Sequence, residues 1–295
     1  MVSRGIGLSV PGFRADLDVL ATVLIARLKI ISRYRGFLVM EALLPIIFAA
    51  FPLLLGTAIG GPNAGANFLR NTGQASVPDV TSYYRLYMLL GACTFTVVTL
   101  MMWLIGYWVR REQETGTLES MYLAPAKRFY VLAGVTTYAF LRSMLIFFIA
   151  LTLGSLAFGV NPLSGNILLA LGFMAAGFLP LWGIGFLFGA FILKIKEANS
   201  IVQMMQWVVA FLMGIYYPVT FFPPLMQYAA ASFPPTMMND GVRSSVLGVG
   251  YLFGSGWWVP FALLIGFSLV LPLLGYQFFL DTERRLKRKE GVGQY

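Results

Sequence analysis

The chain has no histidine, one cysteine and few charges: 12 acidic and 21 basic residues make up 11% of its 295 positions. Each shortage excludes a kind of chemistry. Without histidine there is no imidazole base near neutral pH and no imidazole ligand for a metal. No serine or cysteine has a plausible base, so catalysis, including a metal-dependent kind, is not indicated. Cys93 stands alone and forms no intrachain disulfide; its apolar neighbours make packing its role. A phosphate-cradling loop needs Gly-x-x-x-x-Gly-Lys followed by Ser or Thr. None of the six lysines, Lys29, Lys127, Lys194, Lys196, Lys287 and Lys289, follows a glycine. Any ATP chemistry therefore belongs to another polypeptide.

Apolar residues are abundant instead, at 58% of the chain, and the mean hydropathy is +0.77. A crossing of a hydrocarbon core of about 30 Å needs about 20 apolar residues in a row. Six segments qualify: residues 37–59, 83–108, a third ending near 158, 167–193, 201–222 and 257–280. The first residues lack the apolar core and small-residue exit of a cleavable leader. Basic residues cluster on one side of these spans. Arg4, Arg14, Arg27, Lys29, Arg33 and Arg35 precede the first; Arg110, Arg111, Lys127 and Arg128 follow the second. Lys194 and Lys196 follow the fourth, and Arg284, Arg285, Lys287, Arg288 and Lys289 fill the tail. Arg70, Arg85 and Arg243 fall on the other side. Cytoplasmic loops retain Lys and Arg, so both termini are expected in the cytoplasm and the formal charge of +9 reads as a topology signal. Nucleic acid is not an expected partner, because no soluble domain carries a basic surface. Membrane lipid is.

The chain divides into a cytoplasmic N-terminus (1–36), a six-span all-α membrane domain (37–280) and a basic tail (281–295). Phe13, Leu17, Leu20, Leu24, Leu28 and Ile31 recur at spacings of three and four, predicting an interfacial helix over 13–32. Between spans two and three lies the polar run Glu112-Gln113-Glu114-Thr115-Gly116-Thr117-Leu118-Glu119. Gly116 interrupts the arriving helix, Thr117 is a fitting N-cap, Glu119 complements the first turn, and Pro125 stops the short helix. Taken alone the run also fits an ordinary polar loop. Residues 223–256 are too short to span twice and too apolar for simple loop. They read as a helical hairpin, stopped by Pro234 and Pro235, at the outer leaflet.

Six spans, the entry helix and two motifs resemble the permease subunit of the ABC-2 family of ATP-binding-cassette transporters. The first motif is Glu112-x-Glu114-x-Gly116-Thr117-Leu118-Glu119 with Ala124-Pro125. The second is Gly214-x-x-x-Pro218-x-x-x-x-Pro223, continuing through Phe233-Pro234 to Gly241-x-Arg243. The resemblance implies a type V exporter-like fold and a coupling helix at about 115–124. There Glu112, Glu114, Gly116, Thr117, Leu118 and Glu119 would contact a soluble ATPase, and Lys194, Lys196 and Glu197 would make a second contact. It implies two ATPase copies holding ATP and Mg, a second six-span chain (identical or related), and the cytoplasmic membrane of a prokaryote. This chain would itself carry no cofactor or metal. Spans two and five would line the path, with Gln203, Gln206, Trp207, Phe211, Thr94 and Met101. Gly214, Pro218, Pro223 and Arg243 would form the outer gate or hairpin. The coupling segment is most similar to the drug and small-amphiphile exporters; polysaccharide or lipid-linked glycan exporters share the fold.

Glu41 and Arg142 are the charges well inside predicted spans. They read either as part of a path or as a neutralising pair. Arg142 lies about 24 Å from the outer end of its span and Glu41 at similar depth, near the inner boundary, which favours the pair. Gly185-x-x-x-Gly189 permits close helix packing. Tyr216, Tyr217, Phe221 and Phe222 read as an aromatic belt. A secondary transporter would want several buried carboxylates, and a channel would want rings of charge or a carbonyl filter. Only Glu41 is on offer.

Overall fold

The computed structural model describes residues 13–72, 77, 79–114, 128–193, 198–254 and 256–289. Among these, the long regular elements are all helices: α1 (Phe13–Arg33), α2 (Arg35–Gly60), α3 (Ala64–Thr72), α4 (Val80–Glu114), α5 (Arg128–Phe158), α6 (Ile167–Leu193), α7 (Ala198–Met213), α8 (Pro224–Ala231), α9 (Pro234–Leu247) and α10 (Trp258–Lys289). Among the described residues, five stretches are long and apolar enough to cross a membrane: Arg35–Asn71, Val80–Ile105, Phe129–Phe158, Ile167–Ile192 and Trp258–Arg285.

The stretch 201–222, read from hydropathy as one span, is not continuous helix. Helix α7 has 16 residues, which at about 1.5 Å per residue is about 24 Å, short of the core thickness. It ends where Gly214 takes a φ of 57°, a left-handed conformation that a side chain disfavours. Pro218 and Pro223, which lack an amide hydrogen, prevent the helix from resuming beyond that turn. The chain then folds back through α8 and α9.

Helix α4 is the hub. Asp79 starts it by accepting the amides of Thr81 and Ser82, both at 3.1 Å. Most of its first 26 residues are buried, because α2, α5, α6, α7 and α9 all pack on it. By contrast α2 and α10 present Met40, Ile47, Phe51, Leu54, Leu269 and Leu273 outward, as lipid-facing helices do. The α1 stripe turns Leu20, Val23, Leu24 and Ile31 inward to half-burial, largely onto α5, and leaves Leu17 and Leu28 exposed.

The tightest crossing joins α6 and α10. A Cβ on Gly183 would overlap the Leu271 backbone, and one on Gly275 would overlap Gly183 itself. Gly185 faces Ile105 of α4, so that glycine packs within the protomer. Helix α9 is seated on α6 in the same way: Gly177 makes room for Met238, and Gly241 for Phe173. This explains why nearly every residue of α9 is buried. The hairpin expected over 223–256 is thus two helices, the second sunk among α4, α6, α7 and α10.

Candidate functional site

Two features meet where α7 stops. The first is a row of backbone carbonyls with no intrahelical partner, the usual condition of a helix C-terminus. The second is a polar stripe on α9 formed by Thr236, Asn239 and Arg243, three and four residues apart and so on one face. The stripe supplies donors to four consecutive carbonyls. Thr236 Oγ1 donates to Leu212 at 3.1 Å and Asn239 Nδ2 to Met213 at 3.0 Å. Arg243 Nη1 donates to Gly214 at 3.2 Å, and its Nη2 to Ile215 at 2.8 Å. The guanidinium also lies over the Tyr87 ring, 3.7 Å from its centroid. Gly91 of α4 leaves the space that Arg243 and the Ile215 carbonyl occupy. Thr94 completes the contact by donating its hydroxyl to Asn239 Oδ1. A positive charge at a helix C-terminus also suits the helix dipole.

Arg243 is a residue of the second sequence motif; Thr236 and Asn239 are not. Their 3,4 spacing with Arg243 was the available signal, but the carbonyls they serve lie on another helix. Gly214 is where α7 ends, Pro218 leads into the turn Val219–Phe221, and Pro223 precedes α8. Phe211, Tyr217 and Phe222 form a ring cluster there, with centroids 4.7–6.3 Å apart.

The other face of α7 lacks intraprotomer cover. Gln203, Met204, Trp207, Val208 and Phe211 are exposed, Trp207 to 70%, and Gln206 is half-buried among them. Val202, Val209, Ala210 and Met213 are the buried face. Thr94 and Met101 do not join the exposed group. Thr94 is bonded into the α9 contact and Met101 is buried in the core, apart from the exposed face that carries Trp207.

Glu41 of α2 and Arg142 of α5 form an ion pair, with Arg142 Nη2 2.6 Å from Glu41 Oε1 and both side chains largely buried. The Phe37 ring lies 5.5 Å from the guanidinium carbon. On the first cytoplasmic segment, α4 runs to Glu114, so Glu112 and Glu114 belong to its last turn. Gly116, Thr117, Leu118 and Glu119 lie outside the described residues, as do Lys194, Lys196 and Glu197.

The family model for ABC-2 type transporters matches residues 20–247, well over half of the chain. The chain belongs to that family. No curated protein matches it. The ABC-2 match runs from within α1 to the end of α9, and so includes both the buried α9 stripe and the segment between α4 and α5. As an ABC-2 permease, this chain is a multi-pass membrane component of an ABC transporter, a family whose members work with an ATPase partner and dimerise. Among the described residues no group of His, Cys, Asp and Glu could hold a metal.

Proposed function

We propose that this permease supplies half the membrane path of an exporter for hydrophobic or amphipathic molecules such as drugs, lipids or lipopeptides. A separate ATPase drives it through a coupling helix at about 115–124, with a second contact at 194–197. The assembly is two permease chains and two ATPase subunits, and both termini face the cytoplasm of a prokaryote, which requires α7 with the turn beyond Gly214 to make a sixth crossing beside the five long apolar stretches. The observation that carries this reading is the uncovered face of α7. It is apolar and aromatic through Trp207 and Phe211, yet carries Gln203 and Gln206. A dimer that brings two such faces together encloses an amphipathic lining, and a lining of that kind suits amphiphiles.

The test is reconstitution of the permease with its ATPase in proteoliposomes, followed by a screen for substrate-stimulated hydrolysis. Amphiphile stimulation that Trp207→Ala or Phe211→Ala weakens several-fold is the expected result. The exposed Trp207 ring also suits a sugar face, so stimulation by lipid-linked glycans alone would move the assignment to glycan export. Transport without any ATPase would overturn the reading and favour a secondary transporter or channel.

A further inference from the structure

At the end of the bundle where α2 stops and α4 begins, α2, α3, α4 and α5 enclose a trough of about 740 Å3, within the range of about 300–1,000 Å3 typical of ligand pockets. Its body is apolar, lined by Ala50, Leu53, Leu54, Ala157 and Phe158. Leu54 and Ala157 are exposed and belong to α2 and α5, both spans, so the trough opens sideways into the bilayer. At its rim stands Arg85 of α4, with Thr81 beside it.

Arg85 is exposed and makes no ion pair among the described residues. Its Nη1 donates to the Phe158 carbonyl at 2.9 Å, which satisfies an orphan acceptor at the C-terminus of α5 and fixes the guanidinium at the rim. A guanidinium has five N–H donors in a planar fork that matches phosphate. The nearby carboxylate is Asp79, which accepts the Thr81 and Ser82 amides and interacts with Arg85 electrostatically without forming an ion pair, so the guanidinium keeps spare N–H donors. Tyr84, on the trough wall, is also engaged, donating its hydroxyl to the Pro52 carbonyl at 3.3 Å. An apolar trough open to lipid tails, ending in a fixed cation with spare donors at the membrane surface, complements one chemistry.

We propose that this trough binds an anionic glycerophospholipid, with one acyl chain against Leu53, Leu54 and Ala157 and the phosphate on Arg85. Resting on the proposed orientation, in which the N-terminus is cytoplasmic and α2 makes the first crossing, the lipid belongs to the outer leaflet. The site is separate from the α7 face, and its occupancy requires neither ATP nor a transported substrate.

The experiment uses the full-length permease in proteoliposomes containing trace phosphatidylglycerol or phosphatidylcholine, each with a photoreactive diazirine on one acyl chain. Labelled peptides are then mapped by mass spectrometry. Wild type is expected to show label on residues 50–57 and 157–158. Phosphatidylglycerol should be favoured about fivefold, the preference one cation near a membrane surface confers. Arg85→Gln should level the two probes, Arg85→Lys should keep the preference, and Ala157→Phe, which fills the trough, should remove the label there for both. Equal labelling of wild type by the two lipids would overturn the proposal. So would a preference that survives Arg85→Gln, or label undiminished in Ala157→Phe. If a monodisperse Arg85→Lys variant loses the preference along with Arg85→Gln, the role of Arg85 is the Phe158 bond and the proposal fails.

Discussion

Replacing either member of the Glu41–Arg142 pair alone should destabilise the permease by about 3–5 kcal/mol, while replacing both should recover most of the loss. The magnitude comes from the surroundings. The two groups meet at 2.6 Å, with Arg142 only 11% and Glu41 only 15% exposed, so water does little to solvate whichever charge is left behind. Insertion scales charge about 2.5–3.5 kcal/mol for a lone ionised side chain in a span, which meets the lower end of that range. The pair is itself imperfect. Glu41 Oε2 and Arg142 Nε are buried without hydrogen-bond partners, and two apolar side chains would leave neither orphan. The two single changes should also differ. Glu41→Gln leaves Arg142 with the Phe37 ring, which offers a cation partial relief, whereas Arg142→Met leaves Glu41 with no such ring. Glu41→Gln should therefore be the milder. A double-mutant cycle on detergent-purified protein, read by thermal or denaturant unfolding, measures the coupling directly. Additive single losses, or Arg142→Met proving milder than Glu41→Gln, would refute the argument and return Glu41 to a separate role in the path.

Three further outcomes are expected. Gly91→Ala should destabilise strongly in a thermal-shift assay, because its Cβ would meet both Arg243 and the Ile215 carbonyl; Arg243→Met should cost about 3 kcal/mol by stranding two carbonyls, and Arg243→Lys less. Glu119→Arg or Gly116→Val should uncouple ATP hydrolysis from transport without lowering unfolding temperature, measured on the reconstituted complex; wild-type transport and stimulated hydrolysis in both would count against the coupling segment. The Ser82 hydroxyl and amide hold the Asp79 carboxyl below its ordinary range, so its contribution is present at neutral pH and lost as pH falls through the depressed value. As buffers are taken below the ordinary carboxylate range, unfolding temperature should accordingly fall less for Asp79→Ala than for wild type.

The apolar runs carried most of the helical layout, because a lipid-facing or core helix needs unbroken hydrophobicity and little else. They misled at α7. Hydropathy sums side chains and is blind to φ, so Tyr216, Phe221 and Phe222 extended the apparent span past Gly214, where the backbone turns. Glu41 and Arg142 stood out because charges inside apolar runs are few. Thr94 and Met101 were placed on the path by their helix, yet a helix has more than one face, and theirs is turned into α9 and the core. The packing glycines Gly183 and Gly275 carry no sequence signal linking them, since their meeting depends on how α6 crosses α10.

The burial of α9 has a physical reason that also explains why its sequence is unusual for a membrane segment. A chain that turns back among spans exposes helix ends, and in hydrocarbon an unsatisfied carbonyl costs several kcal/mol. Water is the ordinary solution at an exposed helix end. The α9 stripe replaces it with Thr236, Asn239 and Arg243, each aimed at the end of α7. Apolar substitutes would raise the hydropathy of α9 and lower the stability of the fold, which inverts the usual rule for membrane segments. The same bonds make the end of α7 and the whole of α9 move together, because separating them would strand four carbonyls and one guanidinium at once. The same contacts continue through Tyr87 and Gly91 to α4, so the end of α7, α9 and the buried half of α4 are packed as one unit.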